Sequence, residues 1–310
     1  MERTKLIKRG LGEAERVVKN TVSYLCNTIS YVKDKERVNA FNVMYAVMRI
    51  VDNLVDERED RSESNNGKIR KEILKWKKMI NKCYEGNPEK YPISFAFFES
   101  LSKFKIPKEI WDDFFYSMER DIENPKFRDY ADFEKYCLGA SCSPTIIYLF
   151  LLLSEKNKGV YSLSGFDYLG AGRNLGVWAY LIHILRDVKK DADNSLFYLP
   201  EKELNKFDLK IEDIIQFSNL GIGDKRYSSF LQYYLKKAED YHQSSIGNIE
   251  IYLKKISKDR RFSVLIILRT YEELAKRLKL SGEKVFSGEK ILSVEDYKKI
   301  EKDLLEKLNI

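Results

Sequence analysis

Apolar residues recur at helical spacing along almost the whole chain. Val38, Phe41, Met44, Val47, Val51 and Leu54 fall on one face of a 3.6-residue helix, and Ile249, Leu253 and Ile256 repeat the pattern. Breaks fall at Lys33–Asp34, Ser62 to Gly67, Gly86 to Pro92, Lys105 to Pro107, Asn124–Pro125, Asn157 to Gly165, Tyr198 to Lys206, Gly221 to Lys225 and Ser281 to Lys290. They predict about ten helices joined by short loops. No break has the length or composition of an interdomain linker, so one all-α domain over residues 1–310 is expected. The one internal duplication, Ser281 to Phe286 followed by Ser287 to Leu292, is too short for a repeat unit. It predicts a loop before a last helix.

Composition agrees with helices. The chain has 310 residues but only 15 Gly and 6 Pro, too little punctuation for the many turns of an all-β fold this long. At 44% hydrophobic residues it is not a disordered tail. The longest apolar run, Thr145 to Leu153, is about half of the ~20 residues that a membrane span needs, and reads as a buried helix. The start of the chain, Met1 to Val18, is charged throughout and lacks the apolar stretch of a signal peptide. A cytoplasmic location is therefore expected.

Cys26, Cys83, Cys137 and Cys142 follow no disulfide or zinc spacing, and Cys137 and Cys142 read as small core residues. The formal charge of +7 permits anionic partners. It is spread evenly, as on a solvated surface, and no nucleic-acid partner is expected.

Two helical segments carry the candidate chemistry. In the first, Tyr45, Arg49, Asp52 and Asp56 are spaced i, i+4, i+7, i+11 and share one face. In the second, Gly176, Tyr180, His183, Asp187 and Asp191 do the same, with Arg186 alongside. Like charges at i, i+4 cost a helix a few tenths of a kcal/mol unless a cation or proton lies between them. Carboxylates without a His/Cys cluster suit Mg²⁺, which keeps waters and bridges to substrate phosphates. Facing pairs would hold a diphosphate through metal; the competing reading is two solvated acidic helix surfaces.

At these residues the chain resembles the squalene/phytoene synthase family, the head-to-head branch of the class I isoprenoid synthases. Ser23-Tyr24 resembles its early Ser-Phe, and Tyr45 to Glu57 its first Asp-rich motif. Tyr136-Cys137-Leu138-Gly139-Ala140-Ser141 resembles its mid-chain Tyr-Cys helix. Ile184 to Asp191, followed by Phe197-Tyr198-Leu199-Pro200, resembles the second motif and its trailing Tyr-Leu-Pro. The resemblance implies an all-α isoprenoid synthase fold around a central cavity. It also implies two or three Mg²⁺ ions and condensation of two identical prenyl diphosphates, farnesyl or geranylgeranyl, through a cyclopropylcarbinyl diphosphate. Use of NADPH is left open, since the absence of a GxGxxG motif decides little.

On this resemblance Asp52, Asp56, Asp187 and Asp191 are the metal ligands. Arg49, Arg186 and Lys290 are candidate diphosphate contacts, although each arginine could instead pair with its own acids and Lys284 and Lys290 could be solvated loop lysines. Tyr24, Tyr45, Tyr136 and Tyr271 are candidate aromatic faces for a carbocation. Core packing competes, given 20 Tyr and 17 Phe. His183 could donate to a diphosphate oxygen or act as a base. Gly139, Ala140, Ser141 and Ser143 could admit a polyprenyl tail or allow close helix packing.

The departures are specific. Asn53 stands where the family has a second Asp, Tyr180 and His183 where it has Gln and Asn, and Thr145 where it has a Gly. The metal-binding acids survive and part of the polar lining does not. A partial-reaction enzyme and a non-catalytic scaffold are the alternatives to full condensation. The amphiphilic substrates and hydrocarbon product imply transient contact with a membrane surface. Nothing in the sequence sets the oligomeric state.

Overall fold

Fourteen α-helices form among the described residues, with one two-stranded hairpin. The computed structural model describes residues 2–21, 24–57, 62–123 and 126–310, with the backbone alone of Tyr24 and Leu25. Ser23, the side chain of Tyr24 and the Asn124–Pro125 break lie outside the described residues. In chain order the helices are α1 (Glu2–Lys19), α2 (Tyr24–Ile29), α3 (Lys35–Asp56), α4 (Glu63–Tyr84), α5 (Pro92–Phe104), α6 (Glu109–Ile122) and α7 (Tyr130–Cys137). They continue as α8 (Ser143–Leu153), α9 (Tyr168–Asp193), α10 (Glu201–Asn205), α11 (Ile211–Leu220), α12 (Lys225–Leu253), α13 (Lys258–Ser281) and α14 (Val294–Leu308).

The helices outnumber the ten expected because α10 lies inside an expected loop and because α1 and α2, α7 and α8, and α12 and α13 are separate where no break is expected. A second expected loop is also partly helix. Ser62 caps α4 by accepting from the backbone N–H of Asn65 at 3.3 Å, so Glu63 to Gly67 is its first turn, not a loop. Pro200 similarly precedes the short α10. At the Asn157 to Gly165 break the chain makes a hairpin instead of a plain loop. Strand β1 (Glu155–Asn157) pairs antiparallel with β2 (Val160–Ser162). The two residues between them, Lys158 and Gly159, both have positive φ, as a two-residue hairpin turn requires. The duplicated hexapeptide splits as well: its first copy forms a 3₁₀ turn over Gly282–Ser287, and its second runs as loop into α14.

The site is positioned by how α3, α8 and α9 pack. Helix α8 touches both α3 and α9, which share little direct contact with each other, while α12 and α13 back α9 on its other side. The predicted apolar face of α3 lies in the core, with Met44, Val47 and Val51 fully buried. One continuous core runs from Ala14 to Leu292.

Helices α7 and α8 form a single 24-residue rod, Tyr130–Leu153, through a π turn at Leu138–Cys142. This rod is long and apolar enough to cross a bilayer, but 72% of its apolar window is buried against the other helices, and we read it as a core helix. The π turn coincides with the small residues of the mid-chain motif. Gly139 lies so close to α6 that a Cβ there would stand 2.0 Å from the Asp113 carbonyl oxygen. Ser143 donates to the Ile110 carbonyl at 2.7 Å, and Ser141 to the Gly176 carbonyl at 2.9 Å. Close helix packing thus accounts for these small residues. All four cysteines are buried, and none forms a disulfide.

Candidate active site

Both acid pairs stand on the last turns of their helices. Asp52 and Asp56 end α3, and Asp187 and Asp191 lie near the end of α9, which closes at Asp193. Unpaired carbonyls give a helix C-terminus partial negative charge, so carboxylates there gain nothing from the dipole and favour a nearby cation. The predicted stripes lie where the spacing placed them. Tyr45, Arg49 and Asp52 on α3, and Tyr180, His183, Asp187 and Asp191 on α9, are neither core nor fully exposed, while Asp56 is exposed.

The two acids on α9 differ, one compensated and its neighbour not. On α9, Arg186 donates to both oxygens of Asp187, at 2.7 and 2.6 Å, and His183 Nε2 approaches Oδ2 at 2.9 Å. Although burial opposes it, these hydrogen bonds hold Asp187 well below the usual carboxylate range. Asp191 is pushed up to about 7 by burial, by the charge of Asp187 one turn away, and by Asp56 from the other helix. On α3, Arg49 donates to Asp52 at 2.7 Å. Asp52 is nevertheless pushed up to about 7 by burial and the charge of Asp56, though a third of its side chain reaches solvent.

The charge of Asp56 acts on Asp191, so the C-terminal ends of α3 and α9 lie near each other. Half-buried Tyr198, from the Tyr-Leu-Pro segment, is raised first by burial and Asp121 and then by the charges of Asp191, Asp56 and Asp52, so it lies near both pairs. The four aspartates do not converge on one point: among the described residues no three acidic or histidine groups form a ready-made metal cage. The donor set is two separated carboxylate pairs, each short of ligands.

An open cleft of about 530 Å³ extends from Asp187 on α9. It is lined by Arg186, Asp187, Lys189, Lys190 and Lys290, and floored by Leu274 and Leu292. Lys290 therefore reaches the second acid motif from the far end of the chain, whereas Lys284 is not part of this lining. Both arginines are paired with their own aspartates, the reading that competed with direct substrate contact.

The candidate aromatics separate. Tyr45 stacks on Phe41 with centroids 5.3 Å apart, on the acid-bearing face of α3. Tyr136 is 3% exposed and sits in a ring cluster with Phe127, Tyr180 and Tyr198. Tyr271, on α13, packs against Trp178 at 5.8 Å behind α9. Two contributors were missed from sequence. Tyr198 was quoted only as part of a motif, and Asp121 accepts from the hydroxyl of Tyr136 at 2.8 and 2.9 Å. The signal for Asp121 was present, because Ile110, Phe114, Ser117 and Asp121 share one apolar face of α6.

This helix order around an acid-lined cavity defines an isoprenoid synthase of the terpenoid synthase fold. A dehydrosqualene synthase crystal structure superposes with a TM-score of 0.77 at 17% identity, covering 99% of each chain. A squalene synthase from Alicyclobacillus acidocaldarius gives 0.66 at 13%, covering 91% of this chain and 93% of the other. The squalene/phytoene synthase pattern matches residues 21–295, and the chain belongs to that family of prenyltransferases. Similar sequences include a 15-cis-phytoene synthase of Synechococcus elongatus, 24% identical over 68% of this chain and 67% of that protein. A 4,4'-diapophytoene synthase of Staphylococcus haemolyticus is 23% identical over 73% of this chain and 74% of its own length. The match to phytoene synthase 1 of Zea mays spans 61% of that protein's length.

Proposed function

We propose that the protein condenses two prenyl diphosphates, farnesyl or geranylgeranyl, head to head. The route would run through a cyclopropylcarbinyl diphosphate to a squalene-like or phytoene-like hydrocarbon. The observation that carries this reading is the raised acid on each motif helix, Asp52 and Asp191, both pushed up to about 7 near helix C-termini close enough for the charge of Asp56 to act on Asp191. Such carboxylates take up either a proton or a cation, and an all-oxygen donor set with too few protein ligands suits Mg²⁺ completed by phosphate oxygens and water. Asp52, Asp56, Asp187 and Asp191 would hold the metal, which supplies charge stabilisation for the leaving diphosphate.

The remaining roles belong to the chain's own side chains. Arg186 and Lys290 line the cleft beside Asp187, where they would bind diphosphate oxygens, with Arg49 in the same role on α3. Entry of substrate would exchange the Arg186–Asp187 and Arg49–Asp52 pairs for phosphate and metal contacts. The half-buried His183 orients Asp187 and could donate to a phosphate oxygen. Tyr45 and the Tyr136 cluster present ring faces to a carbocation and exclude water from it. Tyr271, packed behind α9, would support that wall. A hydrocarbon product has to leave for a lipid phase, so we place the working enzyme in the cytoplasm, in transient contact with a membrane surface.

The test is incubation with Mg²⁺ and radiolabelled farnesyl or geranylgeranyl diphosphate, followed by lipid extraction, with and without NADPH. Hydrocarbon product supports full condensation, and accumulation of the cyclopropyl diphosphate or its alcohol points to a partial-reaction enzyme. Absence of diphosphate release at every chain length would leave a scaffold.

A further inference from the structure

A carboxylate outside both acid motifs stands behind the aromatic wall. Asp121 lies on the apolar face of α6, where both of its oxygens accept from the Tyr136 hydroxyl at 2.8 and 2.9 Å. The Tyr180 hydroxyl in turn donates to Tyr136 Oη at 3.4 Å. Phe127 and Phe133 hold the two phenols, with centroids 5.0 Å from Tyr136 and 6.0 Å from Tyr180 respectively. Tyr180 shares its face of α9 with His183, Asp187 and Asp191, so the pair adjoins the acid-bearing face.

A phenol has one hydrogen. Tyr136 commits its hydrogen to Asp121, and Tyr180 commits its own to Tyr136. The two O–H dipoles run head to tail with their positive ends toward Asp121. Burial first, then a neighbouring tyrosine and the charge of Asp121, raises both phenols well above their ordinary range, so neither is lost as phenolate. A glutamine at position 180, as the family has, would carry two free hydrogens able to point into the cavity. Tyr180 in this relay has none left.

We propose that Asp121 is a positioning residue: it fixes the proton order Tyr180 to Tyr136 to Asp121 and so turns the electronegative side of both phenols toward the reacting carbocation. The assignment rests on the prenyltransferase reading above. No proton or group is transferred. Preorganised dipoles aimed at developing positive charge stabilise it without reorganisation cost and complement the ring faces. Loss of the Asp121 charge frees the phenol hydrogens to rotate, so their positive ends can face the cation. The cation then has a shallower well, and more of it is captured by water.

The experiment compares wild type, Asp121→Asn, Tyr180→Phe and the double variant, each with Mg²⁺ and whichever prenyl diphosphate wild type consumes. It measures kcat, KM and the share of turnover ending as hydrocarbon or as water-quenched alcohol. Asp121→Asn keeps the size and an acceptor oxygen but removes the charge. It is expected to lower kcat roughly tenfold, the scale of one charged hydrogen bond, and to raise the alcohol share with KM unchanged. Tyr180→Phe should shift the product in the same direction, and the double variant should be no worse than the more impaired single one, since both act through one relay.

A wild-type product ratio in folded Asp121→Asn, a raised KM with that ratio intact, or strict additivity in the double variant overturns the assignment. Should Asp121→Asn fail to fold, Tyr180→Phe decides alone, and an unchanged ratio there overturns it too. If wild type releases no diphosphate, the prenyltransferase reading falls and this role with it. Wild-type turnover beside an unaltered Asp121→Asn ratio removes only the role of Asp121.

Discussion

Asp187 and Asp191 lie one turn apart on α9 and are pulled in opposite directions. Arg186 and His183 hold Asp187 well below the carboxylate range, while burial and the charge of Asp187 push Asp191 up to about 7. Asp52 on α3 is likewise raised to about 7, by burial and Asp56. Without a cation both carboxyls therefore titrate near neutrality instead of in acid.

The first prediction follows by linkage. A carboxyl whose folded pKa is raised binds its proton more tightly when folded, so its contribution is complete below the ordinary carboxylate range and lost as pH rises through about 7. Asp187 acts oppositely: its contribution is present above the ordinary range and is lost only in strong acid. Without metal, Asp52 and Asp191 should make the protein less stable as pH is raised from about 5 to 8. Thermal unfolding in chelator should show Asp191→Asn with a flatter profile over that range and a higher midpoint than wild type at the alkaline end. Mg²⁺ with pyrophosphate should flatten the wild-type profile in the same way, and an unchanged slope in both cases would rule the pair out.

His183 is nearly half exposed, and its ring meets Asp187 at 2.9 Å. His183→Ala should lower turnover well over tenfold with little loss of stability, because a partly solvated ion pair contributes only about 0–1 kcal/mol to folding. Steady-state kinetics beside a denaturation curve checks both. Wild-type rates would return His183 to packing.

Lys290 is exposed and lines the cleft shared with Arg186. Lys290→Gln should raise KM for the diphosphate substrate by several-fold, about 1 kcal/mol of lost charge attraction, leaving kcat and thermal stability near wild type. The neighbouring exposed Lys284 is the control. If Lys284→Gln matches it, general charge and not the cleft is responsible.

Gly139 has no room for a methyl group, with the Asp113 carbonyl oxygen 2.0 Å from where a Cβ would stand. Gly139→Ala should destabilise the fold by about 3 kcal/mol, the upper end of ordinary overpacking, as read by urea denaturation. A neutral result would mean that α6 and the π turn can separate freely.

Arg37 is 3% exposed and donates to the Leu151 carbonyl, the Ser154 carbonyl at 2.7 Å, and Asp34 at 3.0 Å. It joins the start of α3 to the end of α8. Arg37→Met should cost about 1–3 kcal/mol by removing the donor to the Leu151 carbonyl, while Asp34 keeps the Glu36 N–H and the Tyr161 hydroxyl and the Ser154 carbonyl keeps Arg260. Residual folded enzyme should keep a wild-type KM, since Arg37 lies at the opposite end of α3 from Asp52 and Asp56. A selective rise in KM would contradict that separation.

The sequence by itself determined the helical architecture and the two acid faces, because both depend on local periodicity. Residues 45, 49, 52 and 56 share a face on any α-helix, as do 180, 183, 187 and 191. Local capping was harder to read: the cap at Ser62 turned an expected loop into helix, and Lys158–Gly159 closed an unexpected hairpin. Only the tertiary structure decided what depends on distance between remote segments. It brought Lys290 beside Arg186, paired Tyr136 with Asp121, and set Asp56 against Asp191. That Asp187 is lowered while Asp52 and Asp191 are raised was equally illegible, because ionisation follows burial and neighbouring charge, neither of which is written in spacing along the chain.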